Sequence, residues 1–381
     1  MAALEPEGSR AVKIERIEVR SVAPPTEQFT WSDDLPAQFA TNTVLRLYTD
    51  EGIEAVSGVW NATSYGFEKY TAEAIRHIAP ILIGRDPLQR EELWHDIRPR
   101  VFPVPPQALA AIDIALWDLA GKVAGLPIYQ LLGGARDRIR SYASTPMLED
   151  VPAYLQFVEN LLTEGYTAVK FHTWCVPEKD LELARAVAKE FDTAKIDFML
   201  DAENNYDRAS SLKVARVIED LGFTWFEAPL PDWDLDGYRD LTSKTSIPIL
   251  PSGNWFMDLM TFNEAVRTKA WRSARTDVHM MGGITQTQKA IVLTEAAGIN
   301  CELMSWGYSL NSAANLHLML AHNNCSFYEH SVPQQPYEYG MLDLIRSDSE
   351  GYVHAPKKPG LGLDVDWEQM ESATFHSFTI E

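Results

Sequence analysis

Cysteine is scarce, with Cys175, Cys301 and Cys325 the only three in 381 residues. An odd number spread over 325 − 175 = 150 positions, with no CxxC spacing, argues against a disulfide framework and a thiolate metal site and fits a reducing compartment. Long apolar runs are missing too. The opening stretch MAALEPEGSRAVK has no hydrophobic signal region, and no window approaches the roughly 18 uninterrupted apolar residues that suggest a membrane span. The expectation is a cytoplasmic protein with no membrane partner. Positive charge is the third shortage: 33 Lys and Arg face 54 Asp and Glu, a formal net charge of −21. Such a surface opposes nucleic acid and anionic lipid. An anionic small substrate would then need a local positive centre, either a bound metal ion or clustered Lys and His. A nucleotide-binding glycine motif is also lacking, since GLGLD near the C-terminus follows no βαβ strand.

What is present divides the chain. AVKIERIEVRSV alternates apolar and polar residues, and NTVLRLYTDEGIEAVSGVW reads as two alternating runs around the turn Asp50-Glu51-Gly52. Helical periodicity follows in YTAEAIRHIAPILIG and PQALAAIDIALWDLAGKVAG, the latter ending at Gly125 before Pro127. From about residue 138 short apolar runs (IRSYAS, AVKFH, IDFMLD, TWFEAP, IPIL, RTDVHM, NCELM, CSFYE) recur at intervals of roughly 22 to 30 residues, with amphipathic stretches between most of them. Eight strands at that period suit an α/β fold of the (β/α)8-barrel type better than an open sheet. The expected organisation is an N-terminal α+β capping domain over 1–135, a barrel over 136–350 and a C-terminal segment over 351–381.

In such barrels chemistry sits where strands end. Three successive strand ends here carry an oxygen-bearing side chain: Asp201, Glu227 and Asn254, at spacings of 227 − 201 = 26 and 254 − 227 = 27 residues. One strand-helix unit apart, they converge at the barrel mouth, and as hard oxygen donors they suit an octahedral Mg2+ with open positions. In AVKFHTW, Lys170 and His172 lie two apart and project to one face while Val169 and Phe171 face the other. Alone, that pair is an ordinary strand end meeting solvent. Beside a carboxylate set it becomes a candidate acid/base pair, and the positive charge of Lys170 and a metal is expected to keep His172 neutral near pH 7.

These motifs, together with AAIDIALWDLAGK, PIYQLLGG, GYTAVKFH, MLDAENNYD, WFEAPL, TDVHMMGGIT and PGLGLDVD, give the sequence a resemblance to the enolase superfamily, mandelate racemase subgroup, over nearly its whole length. The resemblance implies a cap of three strands plus helices closing over a modified TIM barrel, with the C-terminal segment returning to the cap. It also implies a Mg2+ that chelates a substrate carboxylate, acidifies the adjacent C–H and stabilises the resulting enolate. Residue by residue it places the metal on Asp201, Glu227 and Asn254, with Asn254 standing where a glutamate is usual. It makes Lys170 the partner of the substrate carboxylate and His172 the base or acid. Glu329 in FYEH matches a glutamate that donates to the substrate carboxylate when protonated. Asp277 matches the aspartate of an Asp-His dyad, but Met304 stands where the dyad histidine is expected. His279, two residues beyond Asp277 and read as lying on the same strand face, is the first substitute. Glu203 replaces a more usual asparagine.

The expected activity is Mg2+-dependent dehydration of a sugar acid, an aldonate or aldarate, to a 2-keto-3-deoxy acid, which makes the chain a hydro-lyase with one small carboxylate substrate. A racemase, epimerase or cycloisomerase is the alternative, weakened by Met304, and a non-catalytic member of the fold is the third class. Substrate contacts are expected from Phe29 and Trp31 in the long loop, from Trp60, Asn61 and Tyr65 in VWNATSYGF, and from Glu203 and Trp306. A homo-oligomer is the expected assembly.

Overall fold

Alternation of apolar and polar residues gives the N-terminal strands one buried face. In a computed structural model that describes residues 12–25, 39–63, 68–100 and 104–381, β1 (Ile14–Val22), β2 (Phe39–Thr49) and β3 (Glu54–Thr63) form an antiparallel sheet. Ile17, Val19, Val44, Leu45, Leu47 and Val59 are buried in it. The β2–β3 hairpin turns at Asp50-Glu51-Gly52, where Gly52 adopts φ 75° and its N–H donates to the Thr49 carbonyl at 3.0 Å. Phe29, Trp31 and Tyr65 lie outside the described residues.

The helix Pro106–Ala124 ties this sheet to the rest of the molecule. Proline opens its first turn, Gly125 at φ 67° ends it, and it is buried along most of its length. Two buried aspartates explain how a polar group survives there. The Asp118 carboxylate accepts the N–H groups of Val56 and Leu361, each at 2.8 Å, and pairs with Lys122. The Asp113 carboxylate accepts the Thr285 N–H at 2.9 Å and hydroxyl at 2.6 Å, capping the helix Ile284–Ala296 from outside its own segment.

Eight parallel strands follow: β4 (Arg138–Ser144), β5 (Ala168–His172), β6 (Asp197–Asp201), β7 (Trp225–Glu227), β8 (Ile249–Leu250), β9 (Ser273–Thr276), β10 (Asn300–Leu303) and β11 (Phe327–Ser331). The hydrogen-bonded order is β11-β4-β5-β6-β7-β8, and the pair β9–β10 lies between β8 and β11, so the strands run round a barrel. β12 (Tyr352–His354) adds antiparallel to β4, and β13 (Thr374–Ile380) returns to pair with β1 in the cap sheet. Among the described residues no helix is long and apolar enough to cross a membrane. All three cysteines are free thiols.

One correction concerns β9. RTDVHM is strand only to Thr276; the Asp277 side chain then accepts the Met280 N–H at 2.7 Å and caps a helical turn, Val278–Met281, which Gly282 ends in a left-handed conformation. His279 therefore does not share a strand face with Asp277, because the two-residue repeat stops where the cap begins.

Candidate active site

Parity within the strands builds the site in layers. Tyr142, Ala168, Met199, Trp225, Leu250 and Phe327, one from each of six strands, form an apolar plug of their own inside the barrel. Two residues further along, the same inward face presents Lys170, Asp201, Glu227 and Glu329, while Val169 and Phe171 point into the outer core under the helices. His172, Asp201 and Glu227 stand side by side in strand register.

Lys170 is the hub. Its Nζ lies 3.1 Å from Asp201 Oδ2, 2.8 Å from Glu227 Oε1 and 2.9 Å from Glu329 Oε1, with every partner buried. Arg275, on β9, is the second cation. Its Nε is 2.9 Å from Glu227 Oε1, its Nη2 2.8 Å from Glu329 Oε2 and its Nη1 3.4 Å from the Tyr142 hydroxyl. Buried charges persist only when paired this completely. Burial would raise the Glu329 pKa, but Lys170 and Arg275 outweigh it and hold this carboxyl well below the usual range. The glutamate expected to be a protonated donor is thus an ionised partner of two cations.

His172 is anchored on both sides. Its Nδ1 lies 2.7 Å from the Thr145 carbonyl, which can only accept, so Nδ1 carries a proton. Nε2 faces Glu203 Oε1 at 3.1 Å and Asp201 Oδ2 at 3.5 Å. Burial lowers the imidazole pKa, yet the Glu203 hydrogen bond and the nearby carboxylates overcome burial and Lys170, and the net shift is upward. Glu203 and Asp201 thus act on this imidazole against the charge of Lys170. Glu203, 39% exposed, takes a left-handed conformation at φ 48°, which turns its side chain back onto His172.

The other side of the mouth is apolar. The Trp306 indole meets the His172 ring edge-on at 5.2 Å between centroids, and its Nε1–H donates to the Tyr337 hydroxyl at 2.9 Å. Trp60 packs on Tyr337 at 5.6 Å and on His279 at 6.3 Å, and Met304 lies against Trp306 and Tyr337. Gly307, at φ 123°, lets the chain pass under Trp60, since a Cβ there would collide with the indole. His279 is buried, its Nδ1 has no hydrogen-bond partner among the described residues, and burial pushes its pKa down to about 3. Asn61 belongs to β3. Asn254 follows β8 in a half-buried loop, its N–H 3.2 Å from Ser252 Oγ.

The donors fit a hard divalent cation. Oxygen predominates, Asp201 and Glu227 already converge on one positive centre, and ligand atoms of His172, Asp201 and Glu203 lie within 4.8 Å of one another. Arg275, Thr145 and Tyr337 were missed by sequence reasoning. The one available signal was an arginine inside SART, a strand run that otherwise holds no charge.

Comparison with known proteins bears on this arrangement. Residues 17–133 match the family model of the mandelate racemase/muconate lactonizing enzyme N-terminal domain, and residues 153–370 that of the enolase C-terminal domain-like fold. A crystal structure from Pseudovibrio sp., described within the mandelate racemase/muconate lactonizing enzymes, is 38% identical with a TM-score of 0.94, covering 98% of this chain and 100% of that one. D-glucarate dehydratase from Agrobacterium tumefaciens, complexed with magnesium, is 30% identical with a TM-score of 0.80, covering 96% and 100%. D-galactonate dehydratase of Ralstonia nicotianae is 28% identical over 348 residues, 84% of this chain and 88% of that protein.

Proposed function

We propose, from the premise that this chain belongs to the mandelate racemase/muconate lactonizing enzyme family of the enolase superfamily, that it is a dehydratase of sugar acids. The observation that carries the reading is the convergence of Asp201, Glu227 and Glu329 on Lys170, with the His172 ring held beside them. The names of the relatives, glucarate dehydratase and galactonate dehydratase, support the same class of reaction.

Asp201, Glu227 and Asn254 would hold Mg2+. Bound there, the ion would bind a substrate carboxylate and make the adjacent C–H more acidic. The chain's own residues do the rest. Arg275 and Lys170 pair with Glu227 and Glu329 and fix both, and they hold Glu329 ionised. Thr145 holds the His172 ring so that Nε2 faces the mouth, where it exchanges one proton with the substrate. Trp60, Trp306 and Tyr337 exclude water from the reacting carbons. The α-carbon loses a proton, the β-carbon loses its hydroxyl as water, and the resulting enol tautomerises to the 2-keto-3-deoxy acid. Met304, an apolar side chain at the end of β10, argues against a racemase with a second base on that strand.

The test is incubation with a panel of aldonic and aldaric acids in Mg2+ buffer, assayed for 2-keto acid and, by chiral chromatography, for epimers. A 2-keto-3-deoxy product from at least one acid is expected. Epimers without dehydration, or no product from the whole panel, would overturn the reading.

A further inference from the structure

We infer that Asp232 is a positioning residue: its buried carboxylate, acting through Ser252, fixes the loop after β8 in the shape that presents Asn254 to Mg2+. The inference rests on the reading of Asn254 as an oxygen donor to that ion, and it adds the residues that would hold this donor in place. Asp201 and Glu227 end neighbouring strands in register, whereas Asn254 lies on a loop. A metal ligand on a loop needs support from outside its own segment.

Asp232 comes from the loop that leaves β7 and is completely buried. Its Oδ1 accepts the Ser252 N–H at 2.8 Å and its Oδ2 accepts the Ser252 hydroxyl at 2.7 Å, and the N–H groups of Gly253 and Trp255 also act on it. As a carboxylate, Asp232 only accepts, so the hydroxyl proton of Ser252 is committed to it. The lone pairs of Oγ are left for the Asn254 N–H, 3.2 Å away. One side chain thus governs the N–H of each residue from Ser252 to Trp255, either directly or through a single hydroxyl. The loop is confined from its other side as well. Gly253 adopts φ 81°, and a Cβ there would come within 3.0 Å of the Arg275 backbone, at the β9 residue whose side chain pairs with Glu227. Burial in these two loops also runs against ordinary preference. Trp233 and Trp255, which follow Asp232 and Asn254, are 68% and 58% exposed, while the carboxylate is inside. Stability alone favours the reverse, and such inversions belong to functional sites.

The test is calorimetric titration of the full chain with Mg2+. Ser252→Ala and Asp232→Asn should each raise the Kd by about tenfold or more. Asn254→Ala should weaken binding too, and adding Ser252→Ala to it should cost nothing further, because the serine acts through Asn254. General loosening of the fold would add its cost in either background. If Asn254→Ala weakens binding, an unmoved Kd in either loop variant overturns this inference alone, as does a Ser252→Ala cost that persists in the Asn254→Ala background. No Mg2+ binding by the parent, or binding that Asn254→Ala leaves unchanged, removes the asparagine from the metal site and ends both readings. If the loop variants do not fold, hydrogen exchange of the parent chain decides. Mg2+ should slow exchange in 232–234 and 252–255 together, whereas protection of 252–255 alone, or of neither, overturns the inference.

Discussion

The two sides of the barrel mouth are built from the same repeating unit and have opposite electrostatic character. On the β5–β7 side each strand end contributes a charged or titratable group, and those groups satisfy one another within 2.8–3.5 Å. On the β9–β10 side Asp277 turns into a helix cap, His279 is packed under Trp60, and Met304 joins an aromatic cluster. One side is a dense ionic network held at the end of a rigid sheet. The other is an apolar wall with two buried polar atoms, Asp277 Oδ2 and His279 Nδ1, that lack partners among the described residues. The proton transfer proposed above therefore draws on the first side, where the titratable groups stand.

Removing a carboxylate from the ionic side should produce the largest effect. Asp201→Ala is expected to lower turnover by about 10³-fold or more, because it removes an oxygen donor and also unbalances Lys170 and His172. Calorimetric titration with Mg2+ should show the binding lost as well. Full activity in this variant would place the chemistry elsewhere. His172→Asn comes next, with a loss of about 10²- to 10⁴-fold in dehydration. Solvent deuterium sharpens the assignment. If exchange of the substrate α-hydrogen stops with turnover, His172 is the base; if exchange persists, His172 serves only the departing hydroxyl and another residue takes the proton.

Arg275 joins the two sides, since it rises from β9 but pairs with Glu227 and Glu329 across the barrel. Arg275→Met should destabilise the fold by about 3–5 kcal/mol, the usual consequence of stripping one partner from a buried ion cluster, read as a lower urea midpoint. A shift no larger than that of an exposed arginine variant would mean that Lys170 alone balances the carboxylates.

The ionic side was the more legible in sequence for a physical reason. Barrel strands alternate strictly, so Lys170 and His172 in AVKFH, and the 26-residue step from Asp201 to Glu227, translate directly into shared faces and neighbouring strand ends. The apolar side depended on where alternation stops. Asp277 is a good helix cap as well as a plausible strand residue, and only the fold decides between them. Tyr337 lies in a short helical turn after β11, far in sequence from the partners it meets, and no periodicity points to it. Arg275 was hidden because a buried cation is legible only once the carboxylates across the barrel are known. The approach of Glu203 to His172 likewise depends on a left-handed residue, which spacing does not encode.

A pH-dependent change in stability tests whether the β9 side is as poorly satisfied as its geometry indicates. Asp277 is fully buried, and burial pushes its pKa up to about 7 despite the Met280 N–H, Arg275 and Asn311. A folded pKa above the unfolded value of about 3.9 means that the folded state holds the proton more tightly. Below about pH 4 both states are protonated and Asp277 contributes no pH dependence. Between about 4 and 7 unfolding releases the proton, so this residue makes stability fall as pH rises, by on the order of 1 kcal/mol per pH unit at most, and above about 7 the loss is complete and constant. In the variant Asp277→Asn the side-chain amide has no proton to release, and its oxygen can still accept the Met280 N–H. The stability of this variant relative to the parent should therefore rise from pH 4 to 7 and then level off, as read from urea midpoints at fixed ionic strength. A difference that stays constant across that range would show that Asp277 is ionised in the folded protein throughout, and that its second oxygen finds a partner the described contacts do not include.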